Sequence, residues 1–221
     1  MTKVLHASDL HGFFNQLLEA AELIKETDVV FLTGNMLPNR RRGPAEIEAP
    51  YQSDWFHGPA ASVVEQFRRL VNNKPIYYVN GNHDFVDFGV LLTQAGFANV
   101  HPVNPYTVCM LGDYKVAGVA NINRIQGEWM YETRYPEMEE VVNRALSLNP
   151  DILITHAPPY NILDEDGYGI RQLSMTIYYE PETVTFKHHF FGHCHEHGGE
   201  VHTHNGINFY NGATKVTLHT I

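Results

Sequence analysis

Five short stretches of this chain place metal-ligating or proton-moving side chains directly after an apolar run. They are Asp9-Leu10-His11, Gly34-Asn35, Gly81-Asn82-His83-Asp84, Thr155-His156 and Gly192-His193-Cys194-His195. Each has an ordinary reading when taken singly. Gly-Asn marks turns, Asp at a strand-to-helix junction caps helices, and an isolated histidine is more often a satisfied core residue than a ligand. Five in one order are improbable as five accidents. The donor set mixes imidazole, carboxylate and amide oxygen. That chemistry suits Mn, Fe, Zn, Ni or Mg and disfavours a structural zinc site built on cysteine. Cys194 lies between two histidines, but in an extended segment its side chain points away from theirs, so it is assigned to packing. Two cations about 3.5–4 Å apart can hold the attacking and leaving oxygens of a phosphoryl displacement.

The elements that must position these residues follow from apolar periodicity. Residues 4–7, 28–33 and 75–79 read as buried strands, and the spacing of Phe14, Leu17, Leu18, Ala21 and Ile24 predicts an amphipathic helix. Val63, Val64, Phe67, Leu70 and Val71 predict another. Between them, residues 35–59 read as a long polar loop, rich in Pro and Gly, that carries Tyr51, Trp55 and Phe56. This β-α-β-loop-α-β order implies a mostly parallel sheet. The second half reads as a hairpin around residues 111–114, a helix over 136–148, strands at 151–155 and 190–191, and three antiparallel strands from 200 to 220. Strand ends are where open α/β sheets build sites.

Composition narrows the function. A chain of 221 residues that is 43% hydrophobic supports one core, so a single domain over 1–221 is expected. No run reaches the roughly 20 apolar residues a membrane span needs, and the N-terminus has no signal-peptide pattern. Two unrelated cysteines suggest a cytoplasmic protein. A net charge of −10 argues against a broad grip on nucleic acid. Arg40, Arg41 and Arg42 are the local exception, a solvated loop or a phosphate clamp. Of 14 histidines, seven fall between His188 and His204, too scattered for a purification tag and well suited to metal binding.

With these motifs the chain resembles a calcineurin-like metallophosphoesterase, whose pattern is D-x-H, G-D, G-N-H-[ED], H and G-H-x-H. The resemblance spans residues 9–195 and implies a four-layer α/β/β/α sandwich with two mixed sheets. It assigns Asp9, His11 and His195 to one metal and Asn82, His156 and His193 to a second. Manganese is the expected ion. Position 35 should be a carboxylate bridging both, and a solvent hydroxide between the metals the nucleophile. His83 should protonate the leaving oxygen or steady the phosphoryl group. Asp84 should orient His83 or the loop, or cap a turn.

Asn35 breaks this pattern. A neutral amide cannot bridge two dications as a carboxylate does, so weaker binding of the second metal and impaired turnover are expected. The chain is read as an inactivated Asp→Asn form of an enzyme. Met36-Leu37-Pro38 after position 35 differs from the protein phosphatase motif. His156-Ala157-Pro158-Pro159 followed by Asn161-Ile162-Leu163-Asp164 resembles the small MPPED-like and related bacterial or phage phosphodiesterases. That implies a small nucleotide-like or cyclic-nucleotide phosphodiester, with Arg40, Arg41 and Tyr160 as substrate contacts and Tyr168, Tyr51, Trp55 and Phe56 as candidates to stack on a base. A phosphomonoesterase or nuclease of the same superfamily is the alternative. A metal-poor scaffold like the retromer subunit ranks lower, because only position 35 departs. Homodimers are common in this branch, though no residue pattern here shows one.

Overall fold

Alternating side chains of the central strands face two different partners. In Val29–Leu32, Val29 and Phe31 turn toward a second sheet, while Val30 and Leu32 pack on helices, and all four are fully buried. This two-sided burial is the reason the segment reads as a continuous apolar run. The computed structural model describes residues 1–40, 43–165 and 167–221. Arg41 and Arg42 therefore lie outside the described residues.

The first sheet has the strand order Val216–Thr220, Lys3–Ala7, Val29–Leu32, Ile76–Tyr78, Val100–Pro102. Its last four strands run parallel, and Val216–Thr220 adds antiparallel to Lys3–Ala7. The second has the order Val201–His204, Ile207–Asn211, His188–Phe191, Ile152–Thr155, Tyr114–Val119, Cys109–Leu111. Its four inner strands are parallel, and hairpins close both edges. The sheets meet through Val4, Phe31, Tyr77, Val116, Ile154 and Phe190. Helices Asn15–Glu19, Ala21–Glu26, Ala45–His57, Ala61–Val71 and Phe88–Gln94 cover the outer face of the first sheet. Tyr135–Ser147 and Arg171–Tyr179 cover the second. The result is the expected four-layer sandwich. Among the described residues no helix is long and apolar enough to cross a membrane.

Three expectations change. The helix expected around Phe14–Ile24 is two short helices broken at Ala20, whose backbone leaves the helical region. The long loop contains the helix Ala45–His57, with Pro50 inside it. Its apolar residues form no single stripe, so periodicity could not reveal it. Tertiary packing holds it instead: Phe56 is buried against Phe14 and Phe88, and Trp55 packs on Phe14. Phe56 is thus a core residue, and Trp55 is partly buried against the same core. Finally, the three C-terminal strands do not form one meander. Val216–Thr220 crosses to the first sheet.

Candidate metal centre and active site

The parallel strands of both sheets end at one place, and backbone contacts fix their tips. The Asp9 N–H donates to the Gly34 carbonyl (2.9 Å) and the His11 N–H to the Asn35 carbonyl (3.0 Å). Gly81 lies so close to Asn35 and His156 that a Cβ there would overlap both. Asp9, His11, Asn35 and His193 all have left-handed backbone, with φ of 53°, 44°, 53° and 68°. Such conformations are costly for residues with a Cβ and concentrate at functional sites.

The first predicted ligand set comes together. Asp9 Oδ1 lies 3.4 Å from His195 Nε2 and 3.9 Å from His11 Nε2. The ligand atoms of this trio all fall within 4.8 Å of one another. The other oxygen, Asp9 Oδ2, accepts from the Ser8 hydroxyl (2.6 Å) and the His193 N–H (2.7 Å). Burial alone would raise the Asp9 carboxyl, yet His195, His156, His11 and Ser8 hold it far below the usual carboxylate range. Burial lowers His11 despite the Asp9 charge, whereas the hydrogen bond to Asp9 raises His195. One carboxylate oxygen and two imidazole nitrogens suit a divalent cation.

The second set also converges. His156 Nδ1 lies 2.7 Å from the Thr33 carbonyl, which can only accept, so Nδ1 carries the hydrogen. Its Nε2 then presents a lone pair to Asn82 Oδ1 at 2.9 Å. Two lone pairs facing at this distance fit ligands of one cation. The His193 ring stands 5.0 Å from that of His156, and burial pushes His193 down to about 3 and lowers His156 as well. Burial thus favours the neutral imidazole at both, the form that ligates metal.

Asn35 lies between the two sets. Its Oδ1 accepts the His83 N–H at 2.8 Å, which fixes the amide orientation. Its Nδ2 therefore donates to Asp9 Oδ1 (2.9 Å) and Asn82 Oδ1 (3.3 Å). Position 35 is where the sequence placed it. However, the atom directed at both ligand sets is a hydrogen-bond donor without a lone pair.

His83 borders a cavity of about 350 Å³ at these strand ends, also lined by His11, Asn35, Asn82, His193 and His195. Asn39 Nδ2 donates to the His83 carbonyl, so Asn39 Oδ1 accepts from His83 Nδ1–H at 2.7 Å. Gln52 Nε2 also donates to that carbonyl. Asp84 does not touch the His83 ring. It accepts the N–H groups of Asn35, Gly81 and Leu37 at 2.7, 2.8 and 3.1 Å. Its role is to tie the second and third strand-end loops together. Burial raises its carboxyl to about 7 against these three donors.

Of the predicted substrate contacts, Arg40 and Tyr160 do not line the cavity. The Arg40 backbone N–H donates to Glu48, and the Tyr160 ring packs under the Arg171 guanidinium at 5.0 Å. Arg41 lies outside the described residues. Tyr168 does line it, as do Ile125, Gln126, Glu165 and Trp129. Trp129 packs on the His83 ring at 4.0 Å between centroids. Sequence reading missed Trp129 and Asn39. Trp129 sits in a segment without periodicity, where only its being one of two tryptophans could have drawn notice. Asn39 was overshadowed by the arginines that follow it. Cys194 is buried, with its thiol directed at Asp164 rather than at the Asp9, His11 and His195 group.

Comparison with known proteins agrees with this geometry. Residues 2–197 match the family model described as calcineurin-like phosphoesterase. A search of curated protein sequences finds no match. Among solved structures, the protein TT1561 of Thermus thermophilus superposes with a TM-score of 0.61 at 19% identity, covering 95% of this chain and 88% of that one. A dimetal phosphatase from Danio rerio gives 0.57 at 8% identity, covering 95% and 86%. At such identities the likeness shows the fold.

Proposed function

Since the chain belongs to the calcineurin-like phosphoesterase family, we propose that it is a metal-dependent phosphodiesterase for small nucleotide-like substrates, impaired by Asn35. The observation that carries this reading is the convergence of Asp9, His11, Asn82, His156, His193 and His195, from four strand ends, on one side of a cavity that His83 also borders. Asp9, His11 and His195 would hold one divalent cation, and Asn82, His156 and His193 would take another when position 35 carries the expected aspartate, with manganese the expected ion. Cations bound there would polarise the phosphoryl group and acidify a solvent nucleophile.

The chain's own groups supply the rest. Asn39 holds His83 Nδ1–H, which leaves Nε2 as the nitrogen that moves a proton at the leaving oxygen. Trp129 supports the choice of substrate. It walls the catalytic cavity and also a neighbouring groove of about 430 Å³ lined by Gly43, Pro44, Ala45, Glu46 and Glu128. A flat leaving group expelled past His83 would meet that indole and stack on it. Asp84 keeps the Asn35 and Gly81 loops in register. The whole of residues 1–221 acts as one domain in this reading, and its two unpaired cysteines suit a cytoplasmic protein.

The test is Asn35→Asp with Mn²⁺ and bis(p-nitrophenyl) phosphate. Hydrolysis should rise at least tenfold over the parent and vanish in EDTA. No rise would refute the reading.

A further inference from the structure

We infer that the Asn35 amide stands in for a cation: it fastens the two ligand sets together with hydrogen bonds, so this chain takes one divalent ion, at Asp9, His11 and His195, and folds without a second. The inference rests on the ligand assignments above and concerns only what position 35 does to them. Its Nδ2 donates to Asp9 Oδ1 at 2.9 Å and to Asn82 Oδ1 at 3.3 Å, one oxygen from each set. The amide cannot turn over to offer its carbonyl, because Oδ1 is held by the His83 N–H at 2.8 Å. Asn35 is 2% exposed, so water does not replace these contacts.

The two positions are not equal competitors for an ion. The first contains a carboxylate, Asp9, and the Glu165 carboxylate also acts on His195. The second contains only neutral donors, Asn82, His156 and His193. A dication leaving water for three neutral ligands gains little charge compensation, whereas the Asp9 carboxylate at the first position supplies it. The first position therefore keeps its ion and the second does not fill.

An aspartate at position 35 reverses this. Its oxygen would replace Nδ2 and face Asp9 Oδ1 and Asn82 Oδ1 with no hydrogen between them. Without a cation the two carboxylates must repel or take up a proton at a cost, so Asn35→Asp should be less stable without metal and more dependent on it. Asn35→Ala removes the fastening without adding charge.

The experiment strips each protein with EDTA, reloads it with Mn²⁺, removes free ion by gel filtration, and measures manganese per chain and thermal midpoint. The parent should carry one ion and Asn35→Asp two. The midpoint gap between Mn²⁺ and EDTA should be wider for Asn35→Asp by about 5–10 °C. Asn35→Ala should keep one ion and melt lower than the parent in EDTA. A parent that carries two ions, an Asn35→Asp protein that carries one, or an Asn35→Ala protein as stable as the parent in EDTA would overturn the inference. If Asn35→Asp folds in neither condition, the parent's stoichiometry and the Asn35→Ala midpoint decide it. Hydrolysis is read separately: two ions in Asn35→Asp without phosphoester cleavage would sink the phosphodiesterase reading and leave this one standing.

Discussion

Replacing His189 with phenylalanine should remove a large part of the protein's sensitivity to acid. His189 is fully buried in the strand His188–Phe191, with its ring among Phe186, Phe191 and Phe209 at 5.7, 4.9 and 5.8 Å. The Thr155 hydroxyl donates to the Ala157 carbonyl at 2.6 Å, so it accepts from His189 Nε2–H at 2.8 Å. That leaves Nδ1 buried without a partner. A proton added there would have no acceptor and would place a charge among phenylalanines. Burial accordingly pushes the imidazole from its ordinary value near 6.5 down to about 3. The unfolded chain takes up this proton as pH falls through 6.5, while the native state does not until about 3. The stabilising contribution is complete above 6.5 and is lost progressively as pH falls. At pH 5 the loss is about 2 kcal/mol, from roughly 1.4 kcal/mol per pH unit over about 1.5 units. Urea unfolding in EDTA at pH 7.5 and 5.0 measures it. The parent should lose about 2 kcal/mol more than His189→Phe between the two conditions. At pH 7.5 the variant should be about 1 kcal/mol less stable for want of the Thr155 bond. His6, His156 and His193 shift in the same direction, so both proteins will weaken in acid. Only the difference between them reports His189, and an equal loss in both would refute the reasoning.

Other expectations concern the site. Asn39→Ala, made in the Asn35→Asp background, should lower kcat about tenfold with little change in KM, because one hydrogen bond that orients His83 is worth about 1–1.5 kcal/mol. An unchanged kcat would mean that Asn39 does not set the proton position. Trp129→Ala in the same background should raise KM for a nucleoside phosphodiester about tenfold, the size of one base-stacking contact. A KM that does not move would remove the indole from substrate recognition. Asp84→Ala strands three buried N–H donors and should cost about 3 kcal/mol in urea unfolding. A loss below about 1 kcal/mol would show that the strand-end loops hold their register without it.

Residue types and apolar patterning were enough for the architecture and for which side chains meet at the strand ends. Buried parallel strands such as Val29–Leu32 announce themselves by continuous apolar runs, and chemistry placed at their ends has few other places to go. The sequence also marked Asn35 as the departure, because that argument needs only residue types. Tertiary structure decided what residue types cannot carry. The helix Ala45–His57 exists because Phe56 and Trp55 find a core built from distant segments. Asp84 faces three backbone donors rather than His83, and Asn39 and Trp129 reach His83 across 44 and 46 residues of chain. Above all, the direction of the Asn35 amide was set by one N–H from His83. Whether position 35 offers metals an oxygen or withholds one depends on that contact, which exists only once the two strand ends have met.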